Sequence, residues 1–263
     1  MSKRVILHDQ NEGDFFYREA IKTLRANIRF SGRSRQVIMF TSVFSGEGKS
    51  DTVFHLAEEM AKLDKKVLLI DADIRNSVLV NWFGVEDAGT GLSEYLSGLE
   101  EDVDPLIHST NYPGLYVLFA GAYAPNATEM LSDDHFRLLL ETAPKVFDYV
   151  FVDTPPLGQV IDAAIIAQHC DGAVLVIESG AVSYRVAQRV KQQLETSGCH
   201  ILGVVLNKVD RGGGSIYSSK YGKYCKYGKY GKYGKYGKYD KYDKYDGSRE
   251  GDAREESARD SEA

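Results

Sequence analysis

The sequence predicts an α/β fold in which helices cover both faces of a mainly parallel β-sheet. Short apolar runs alternate with helical patterns of ten or more residues, which is typical of repeated βαβ units. Two of these runs end in a carboxylate, at Asp71 and Asp153, and a glycine-containing stretch joins the first run to a helical pattern. Because parallel strands share one carboxyl edge, we expect these residues to lie close together.

Composition sets the limits of this fold. The 263 residues, 43% of them hydrophobic and 27% charged, are enough for one large soluble domain and a tail. The net charge of −6 gives no reason to expect nucleic-acid binding. The cysteines, Cys170, Cys199 and Cys225, form no C-x-x-C or Cys/His pattern, which favours a reducing compartment without disulfides or a zinc site.

Nothing in the sequence resembles a targeting or membrane segment. The apolar run near the N-terminus, Val5-Ile6-Leu7, is too short for a secretory signal. No stretch approaches the roughly 20 apolar residues that span a bilayer. We therefore expect a cytoplasmic protein whose membrane association, if any, comes through a partner.

Residues 14–31 are predicted to form an amphipathic helix that begins at Asp14. One face carries apolar residues and another carries charges, namely Phe16, Ala20, Leu24 and Ile28 against Glu19, Lys22, Arg25 and Arg29. The charged face is either simply solvated or forms an interface.

The stretch Thr41–Ser50 follows an apolar run, Val37–Phe40, that is typical of a buried strand. A helical pattern begins near Lys49, with Val53, Leu56, Ala57, Met60 and Ala61 on one face. A strand, a glycine turn and a helix N-terminus together direct backbone N–H groups at an anion. Lys49 can then reach the β- and γ-phosphates of a nucleotide, and the Ser50 hydroxyl can bind Mg²⁺. Val43 replaces the first glycine of G-x-x-x-x-G-K-[ST], so an ordinary strand-to-helix turn is the alternative.

Carboxylates follow two further apolar runs. Val67–Ile70 is followed by Asp71 and Asp73, and residues 149–152 are followed by Asp153 and two prolines. Phosphoryl transfer needs positioning and charge neutralisation, which Lys49 and a metal on Ser50 and Asp153 would supply. Asp71 and Asp73 are left beside the γ-phosphate without an evident structural partner, so one of them could deprotonate an attacking hydroxyl. For each aspartate alone, a turn at a strand end is the alternative.

The remaining elements complete a domain over residues 1–210. Residues 76–113 contain short helical pieces around Leu92–Leu99. Strands are predicted at Leu115–Phe119, Ala173–Ile177 and Ile201–Leu206, and helices at His135–Val146 and Tyr184–Thr196. Asn207 follows the last predicted strand.

Residues 211–263 are predicted to be a disordered tail. Nine consecutive triplets from Lys220 to Asp246 each begin with Lys-Tyr, and an acidic segment follows. This period cannot bury a continuous apolar face, and the repeat has no Val, Ile, Leu or Phe to build a core. The tyrosines of the cluster at 217–245 are Tyr217, Tyr221, Tyr224, Tyr227, Tyr230, Tyr233, Tyr236, Tyr239, Tyr242 and Tyr245.

Taken together, these features resemble the bacterial tyrosine kinases of capsule and exopolysaccharide synthesis, over residues 15 to about 245. The Walker A motif ends at Lys49-Ser50, a second motif of apolar residues and D-x-D-x-R spans Leu68–Arg75, and the Walker B motif spans Val150–Pro156. The resemblance implies a P-loop NTPase fold of the MinD/ParA kind, ATP and Mg²⁺ as cofactors, and autophosphorylation of the tail tyrosines.

The resemblance also assigns roles to individual residues. Lys49, Asp71 and Asp73 are the expected catalytic residues, and Ser50, Asp73 and Asp153 the expected metal ligands. The expected nucleotide-binding residues are Gly46, Glu47, Gly48, Lys49, Ser50, Asp51 and Asn207. Asn207 resembles an asparagine on the adenine side of the nucleotide, with a plain turn residue as the alternative.

Partners are implied in the same way. The E-x-x-R-x-x-R motif that joins family members into rings matches Glu19, Lys22 and Arg25, where lysine keeps the charge but loses the bidentate fork. The resemblance further implies a separate transmembrane adaptor, which recruits the kinase to the inner face of the cell membrane, and a cognate tyrosine phosphatase.

Two further positions depart from the family pattern, besides Val43 and Lys22. Ser45 replaces a usual proline. Asp51 stands where relatives have Thr or Ser, and its carboxylate would repel the phosphates and lower nucleotide affinity unless it points away.

Two other classes of function compete with this interpretation. A MinD/ParA-type ATPase switch would carry a signature lysine at the position of Phe44, and this lysine is absent. The tyrosine-rich tail also argues against such a switch. A nucleic-acid or scaffold protein could stack its Lys/Tyr array on single strands, but the ATP site would then have no purpose.

Overall fold

The computed structural model describes residues 3–9, 13–32, 34–86 and 88–210, and a seven-stranded sheet forms its centre. The strands are β1 (Val37–Ser42), β2 (Val67–Asp71), β3 (Ile107–Ser109), β4 (Leu115–Leu118), β5 (Tyr149–Asp153), β6 (Gly172–Glu178) and β7 (Ile201–Asn207). Their order is β3-β4-β2-β5-β1-β6-β7, and every neighbouring pair is parallel except β3 with β4. The predicted mainly parallel sheet is confirmed.

Helices connect the strands. They are α1 (Phe15–Phe30), α2 (Lys49–Ala61), α3 (Leu79–Trp82), α4 (Leu92–Leu96), α5 (Ala127–Leu131), α6 (Asp134–Thr142), α7 (Asp162–Ala167) and α8 (Tyr184–Thr196). Asp14 caps α1 as predicted, because its side chain accepts a hydrogen bond of 2.7 Å from the backbone N–H of Tyr17. No helix of the described ranges is both long and apolar enough to cross a bilayer.

Both faces of the sheet are covered, which explains why its strands are continuous apolar runs. In β1, Val37 and Met39 point into one core, and Ile38 and Phe40 point into the other. Residues of α4 to α8 fill the first core, and residues of α1 to α3 fill the second. Because β1, β2, β5 and β6 are parallel, their carboxyl ends lie at one edge of the sheet.

The structure corrects some boundaries. The helix predicted at His135–Val146 begins at Asp134 and ends at Thr142, because Pro144 follows in a 3₁₀ turn over Ala143–Lys145 and proline has no N–H to continue an α-helix. Asn207 is the last residue of β7, paired with Glu178, and does not follow the strand. The short elements β3, α3, α5 and α7 were not predicted. The predicted tail, with its tyrosine cluster, lies outside the described residues.

Candidate functional site

The loop between β1 and α2 has the backbone of a phosphate cradle. Gly46 and Gly48 adopt left-handed conformations, with φ of +84° and +82°, and α2 begins directly after Gly48. A Cβ atom on Gly48 would lie 2.1 Å from Nδ2 of Asn207. Only glycine therefore fits at Gly48, both for its φ and for the close approach of β7.

Valine at the first position of the motif is compatible with this loop. Val43 is fully buried, and it is not among the described non-glycine residues with positive φ, which are Asp64 and Lys208. The position therefore does not require glycine. Its neighbour Phe44, which stands where the MinD/ParA-type lysine would be, has 41% of its surface exposed.

Glu47 holds the loop closed through its side chain. Its Oε2 accepts hydrogen bonds from the backbone N–H groups of Val43 (2.7 Å) and Phe44 (2.8 Å). Its Oε1 accepts a third, of 3.1 Å, from the N–H of Glu178 at the end of β6. Only 3% of Glu47 is exposed. Its predicted contact with nucleotide can therefore come from its backbone, while its carboxylate shapes the loop.

The end of β7 fastens the same loop from the other side. Asn207 donates from Nδ2 to the carbonyl of Glu47 at 2.9 Å. Lys208 donates from Nζ to the carbonyl of Gly46 at 2.6 Å and to Glu178 at 2.8 Å. The amide nitrogen of Asn207 thus supports the loop, and its contact with adenine stays a prediction.

Lys49 lies between the loop and the sheet. Its ammonium group forms a close ion pair with Asp153, and its Nζ is 3.2 Å from Oγ of Ser50. Both partners of the pair are almost wholly buried, with 8% and 2% of their side chains exposed. The three residues predicted to handle phosphate and metal are therefore adjacent.

Asp71 lies opposite Asp153 on the neighbouring strand. The two residues are paired in register at the carboxyl ends of β2 and β5. Burial, and next the charge of Asp153, raise the pKa of Asp71 to about 7. A carboxylate with such a pKa can accept a proton near neutral pH, as a general base must.

The expectation that Asp71 and Asp73 lack structural partners is wrong. Asp71 accepts a close hydrogen bond from the Ser77 hydroxyl and one of 3.2 Å from the N–H of Asp73. The carboxylate of Asp73 accepts a hydrogen bond of 3.0 Å from the N–H of Asn76. Burial raises the pKa of Asp73 as well. These bonds fix both side chains in the turn that follows β2.

The positions of Ser50, Asp71, Asp73 and Asp153 suit a Mg²⁺ ion that is bound partly by phosphates and water. They do not suit a metal ion that is bound by protein side chains alone. Within the described ranges, no three Asp, Glu, His or Cys side chains form a group able to hold a metal ion, so Asp71, Asp73 and Asp153 do not form one together. Mg²⁺ usually takes one or two carboxylates and completes its octahedron with phosphates and water. Ser50 and Asp153, both beside Lys49, suit that role.

An ion pair that the sequence did not reveal joins two of the motifs. Arg75 of the D-x-D-x-R motif donates from Nε (2.6 Å) and Nη2 (3.3 Å) to the fully buried Asp162 at the start of α7. Thr128 donates to the same carboxylate at 2.8 Å. This pair ties the turn after β2 to the chain that follows the Walker B motif. Only the arginine gave a sequence signal, because its partner lies 87 residues away.

The side chain of Asp51 does not face the phosphate loop. Its carboxylate accepts a close hydrogen bond from the Tyr17 hydroxyl on α1, and its Oδ1 is 3.6 Å from Nδ1 of His55. Asp51 was predicted to be a nucleotide-binding residue, and a contact between its backbone and nucleotide stays a prediction. Its side chain points towards α1, which is the condition under which the sequence predicted no repulsion of the phosphates.

The three residues of the predicted self-association motif have partners within the chain. Lys22 forms an ion pair of 2.7 Å with Glu19, one turn away on α1. Arg25 forms an ion pair of 2.8 Å with Glu59 on α2. Arg25 therefore helps to fasten α1 to α2, a role that the motif alone did not suggest.

Known proteins resemble this chain in sequence. Residues 35–196 match the family model described as an AAA domain. Tyrosine-protein kinase CpsD of Streptococcus agalactiae is 44% identical over 192 residues, which cover 73% of this chain and 83% of that protein. Tyrosine-protein kinase YwqD of Bacillus subtilis (strain 168) is 38% identical over 191 residues, which cover 72% of this chain and 80% of that protein.

Solved structures agree with the sequence matches. The kinase domain of the Escherichia coli tyrosine kinase ETK is similar with a TM-score of 0.72 at 34% identity, covering 76% of this chain and 79% of that chain. The septum site-determining protein MinD of Pyrococcus horikoshii, complexed with Mg-ADP, has a TM-score of 0.58 at 22% identity, covering 68% and 72%. At that identity the MinD likeness shows the fold alone.

Proposed function

The chain belongs to the tyrosine-protein kinase family that includes CpsD and YwqD, and we propose that its acceptors are the tyrosines of its own tail, Tyr217 to Tyr245. It is an AAA-domain protein that binds nucleotide, and its identity to named kinases favours kinase activity over a non-kinase ATPase switch. We further propose that phosphorylation of the tail regulates capsule or exopolysaccharide synthesis and export.

The position of the last strand carries the proposal for the tail. Because β7 is parallel to its neighbour β6, its carboxyl end lies at the edge that holds the phosphate loop. Lys208 contacts the loop directly, through the carbonyl of Gly46. The chain therefore continues towards residues 211–263 from a point beside the site of phosphoryl transfer. The ten residues 211–220, which precede Tyr221, span roughly 17 Å if they are flexible.

Each residue of the site then has a role in the transfer. The tyrosine oxygen attacks the γ-phosphorus, the bond from that phosphorus to the β,γ-bridging oxygen breaks, ADP leaves, and the phenolic proton passes to Asp71. Lys49 would move from Asp153 to the β- and γ-phosphate oxygens. Ser50 and Asp153 would hold Mg²⁺, with Asp73 supporting that site, and the ion would neutralise negative charge on the phosphates.

We expect phosphotyrosine to appear within 217–245 when an active and an inactive chain are mixed with Mg-ATP. The active chain has its ten tail tyrosines replaced by phenylalanine, and the inactive chain carries Lys49→Met/Asp153→Asn with an intact tail. Because the acceptors are on one protein and the phosphate site on the other, any phosphate mapped to 217–245 was transferred between molecules. Mass spectrometry locates the sites.

The same experiment can also contradict the proposal. Phosphate found mainly outside 217–245, or none on the inactive chain although the unmodified protein autophosphorylates, would reject transfer to the tail between molecules. An intact wild-type protein without any phosphotyrosine would contradict the kinase assignment itself.

Self-association through α1 is the second part of the proposal. Three phenylalanines at the ends of α1 are exposed, Phe15 by 57%, Phe16 by 49% and Phe30 by 85%, which supports contact with another protein surface. Glu19 and Lys22 lie on the same helix. We propose rings of this chain at the membrane, with a transmembrane adaptor and a cognate tyrosine phosphatase as further partners.

Glu19→Lys should shift the protein towards monomers in light scattering at matched concentrations. Its ion pair with Lys22 is half exposed, and such pairs contribute only about 0–1 kcal/mol to folding, so the fold should be kept. Glu195→Lys is the matched control, because it breaks an equally exposed pair with Lys191 on α8. An unchanged mass for Glu19→Lys, or the same loss of mass for Glu195→Lys, would contradict a specific role of α1.

A further inference from the structure

A buried polar cluster joins the first turn of α1 to the first turns of α2. Tyr17 donates its hydroxyl hydrogen to Asp51 in a close contact, and its oxygen is 3.3 Å from Nδ1 of His55. The other ring nitrogen of His55 is 3.1 Å from a carboxylate oxygen of Asp9. The side chains of the histidine and of both aspartates are 7% to 18% exposed.

This cluster lies one residue from the proposed metal ligand Ser50. Asp51 is in the first turn of α2, whose N-terminus forms part of the phosphate cradle. It shares a face of α2 with His55, one turn later, and α1 packs against that face. The adjacent Lys49 is directed instead at Asp153 and the sheet. The Asp51 carboxylate is thus held on the α1 side of α2, by Tyr17 of α1 and by His55 of its own helix.

We propose that Tyr17 is a positioning residue, which holds the Asp51 carboxylate against α1 and so keeps a negative charge away from the bound nucleotide phosphates. The inference rests on the proposed nucleotide site. It makes the docked position of α1 a determinant of nucleotide affinity, because Tyr17 brings its hydroxyl to Asp51 from α1.

The chemistry of the pair supports a lasting hydrogen bond. Burial, and next the hydrogen bond to Asp51, raise the pKa of Tyr17, so that its hydroxyl stays protonated and keeps donating. A hydrogen bond from a neutral donor to a buried carboxylate is charge-assisted and stronger than one between neutral groups. His55 touches the same carboxylate but is also engaged by Asp9 and by the carbonyl of Asp51. Of these two side chains, Tyr17 approaches the Asp51 carboxylate more closely.

Calorimetric titration with Mg-ADP tests the inference on the full chain. Tyr17→Phe keeps the ring, which packs edge-on against His55 at 5.3 Å, and removes only the hydroxyl. We expect the Kd for Mg-ADP to rise severalfold and at most about tenfold, because the variant moves an existing charge towards the phosphates, and a whole charge added within roughly 8–10 Å at an intermediate dielectric constant sets the upper limit. The rise should shrink in high salt, since screening weakens exposed charges. Tyr184→Phe, which removes a hydroxyl from α8, is the control and should bind like the wild type.

Removal of the charge separates positioning from a merely structural role. In Tyr17→Phe/Asp51→Asn the side chain at position 51 is neutral, so the Kd should return to the wild-type value or below it. A double variant as weak as Tyr17→Phe would overturn the inference, as would an unchanged Kd in Tyr17→Phe. Wild-type protein that fails to bind Mg-ADP would instead contradict the proposed nucleotide site, whatever Tyr17 does. Thermal unfolding of each variant without nucleotide verifies that α1 is still folded.

Discussion

Lys49→Met should abolish autophosphorylation, with phosphotyrosine at or below the detection limit after incubation with Mg-ATP. In the proposed site the ammonium group is the cation presented to the β- and γ-phosphates, and methionine has a similar length without the charge. Such transition-state electrostatics are commonly worth about 10²–10³ in rate for a single donor, and more for a charged one. Phosphotyrosine at the wild-type level in this variant would contradict the proposed site.

The structure predicts that Lys49→Met also lowers the stability of the fold, which the motif alone does not predict. Lys49 neutralises Asp153, whose side chain is only 2% exposed, and Lys49→Met leaves that carboxylate buried without its cation. Breaking a buried pair in this way costs roughly 3–5 kcal/mol of stability. Lys49→Met/Asp153→Asn removes both charges, so it should recover most of the melting temperature while it stays inactive. Equal melting temperatures for wild type and Lys49→Met in the absence of nucleotide would show that the pair contributes nothing.

The elements that the sequence predicted well are those with a strong local signal. The strands β1, β2 and β5 are apolar runs that end at polar residues, and α1 and α8 combine an apolar stripe with clear ends, so periodicity alone located them. The convergence of Lys49, Ser50, Asp71 and Asp153 also followed, because parallel strands must place their carboxyl ends at one edge.

The elements that were missed have little local signal. β3 has three residues and pairs antiparallel with β4 at the edge of the sheet, and α3 has four. Such short segments are stabilised by contacts to residues distant in sequence, and their own propensities do not identify them.

The side-chain contacts around the site could not be predicted from the sequence, for a different reason. The pairs Arg75 with Asp162, Asn207 with Glu47, and Tyr17 with Asp51 join residues 34 to 160 positions apart. No spacing rule predicts which distant polar side chains meet. The sequence could not show which way the Asp51 carboxylate points, because that depends on its contact with Tyr17 of α1.

Asp71→Asn should lower the rate of phosphoryl transfer by about 10²–10⁴, the contribution usual for a general base, while the Kd for Mg-ADP changes little. Asparagine keeps the shape: its Oδ1 can still accept a hydrogen bond from the N–H of Asp73, and its Nδ2 can donate to the Ser77 hydroxyl, which then accepts. It cannot accept the proton of the tyrosine. Single-turnover rates and calorimetry on the same preparation separate the two quantities, and an equal loss of rate and affinity would place Asp71 in the metal site instead.

The same substitution should stabilise the nucleotide-free fold, in a way that depends on pH. Because the folded-state pKa of Asp71 is raised to about 7, the folded protein holds a proton that the unfolded chain has released, and stability falls as pH rises from about 4 to 7. The asparagine of the variant has no such titration. At pH 8 the free energy of unfolding of the variant should exceed that of the wild type by roughly 2–4 kcal/mol, since a difference of one pKa unit is worth about 1.4 kcal/mol. This difference should shrink towards pH 5.

Asp148→Asn is a control variant that should lose stability at neutral pH, where Asp71→Asn should gain it. The pKa of Asp148 is lowered, first by its hydrogen bond from Lys65, so its charged form stabilises the folded state above its ordinary pKa, and its replacement should lower the melting temperature at neutral pH. Melting curves of the three proteins from pH 5 to pH 8 provide the test. A difference between Asp71→Asn and wild type that does not grow with pH would show that Asp71 is charged throughout, and would remove the basis for its role as a base near neutral pH.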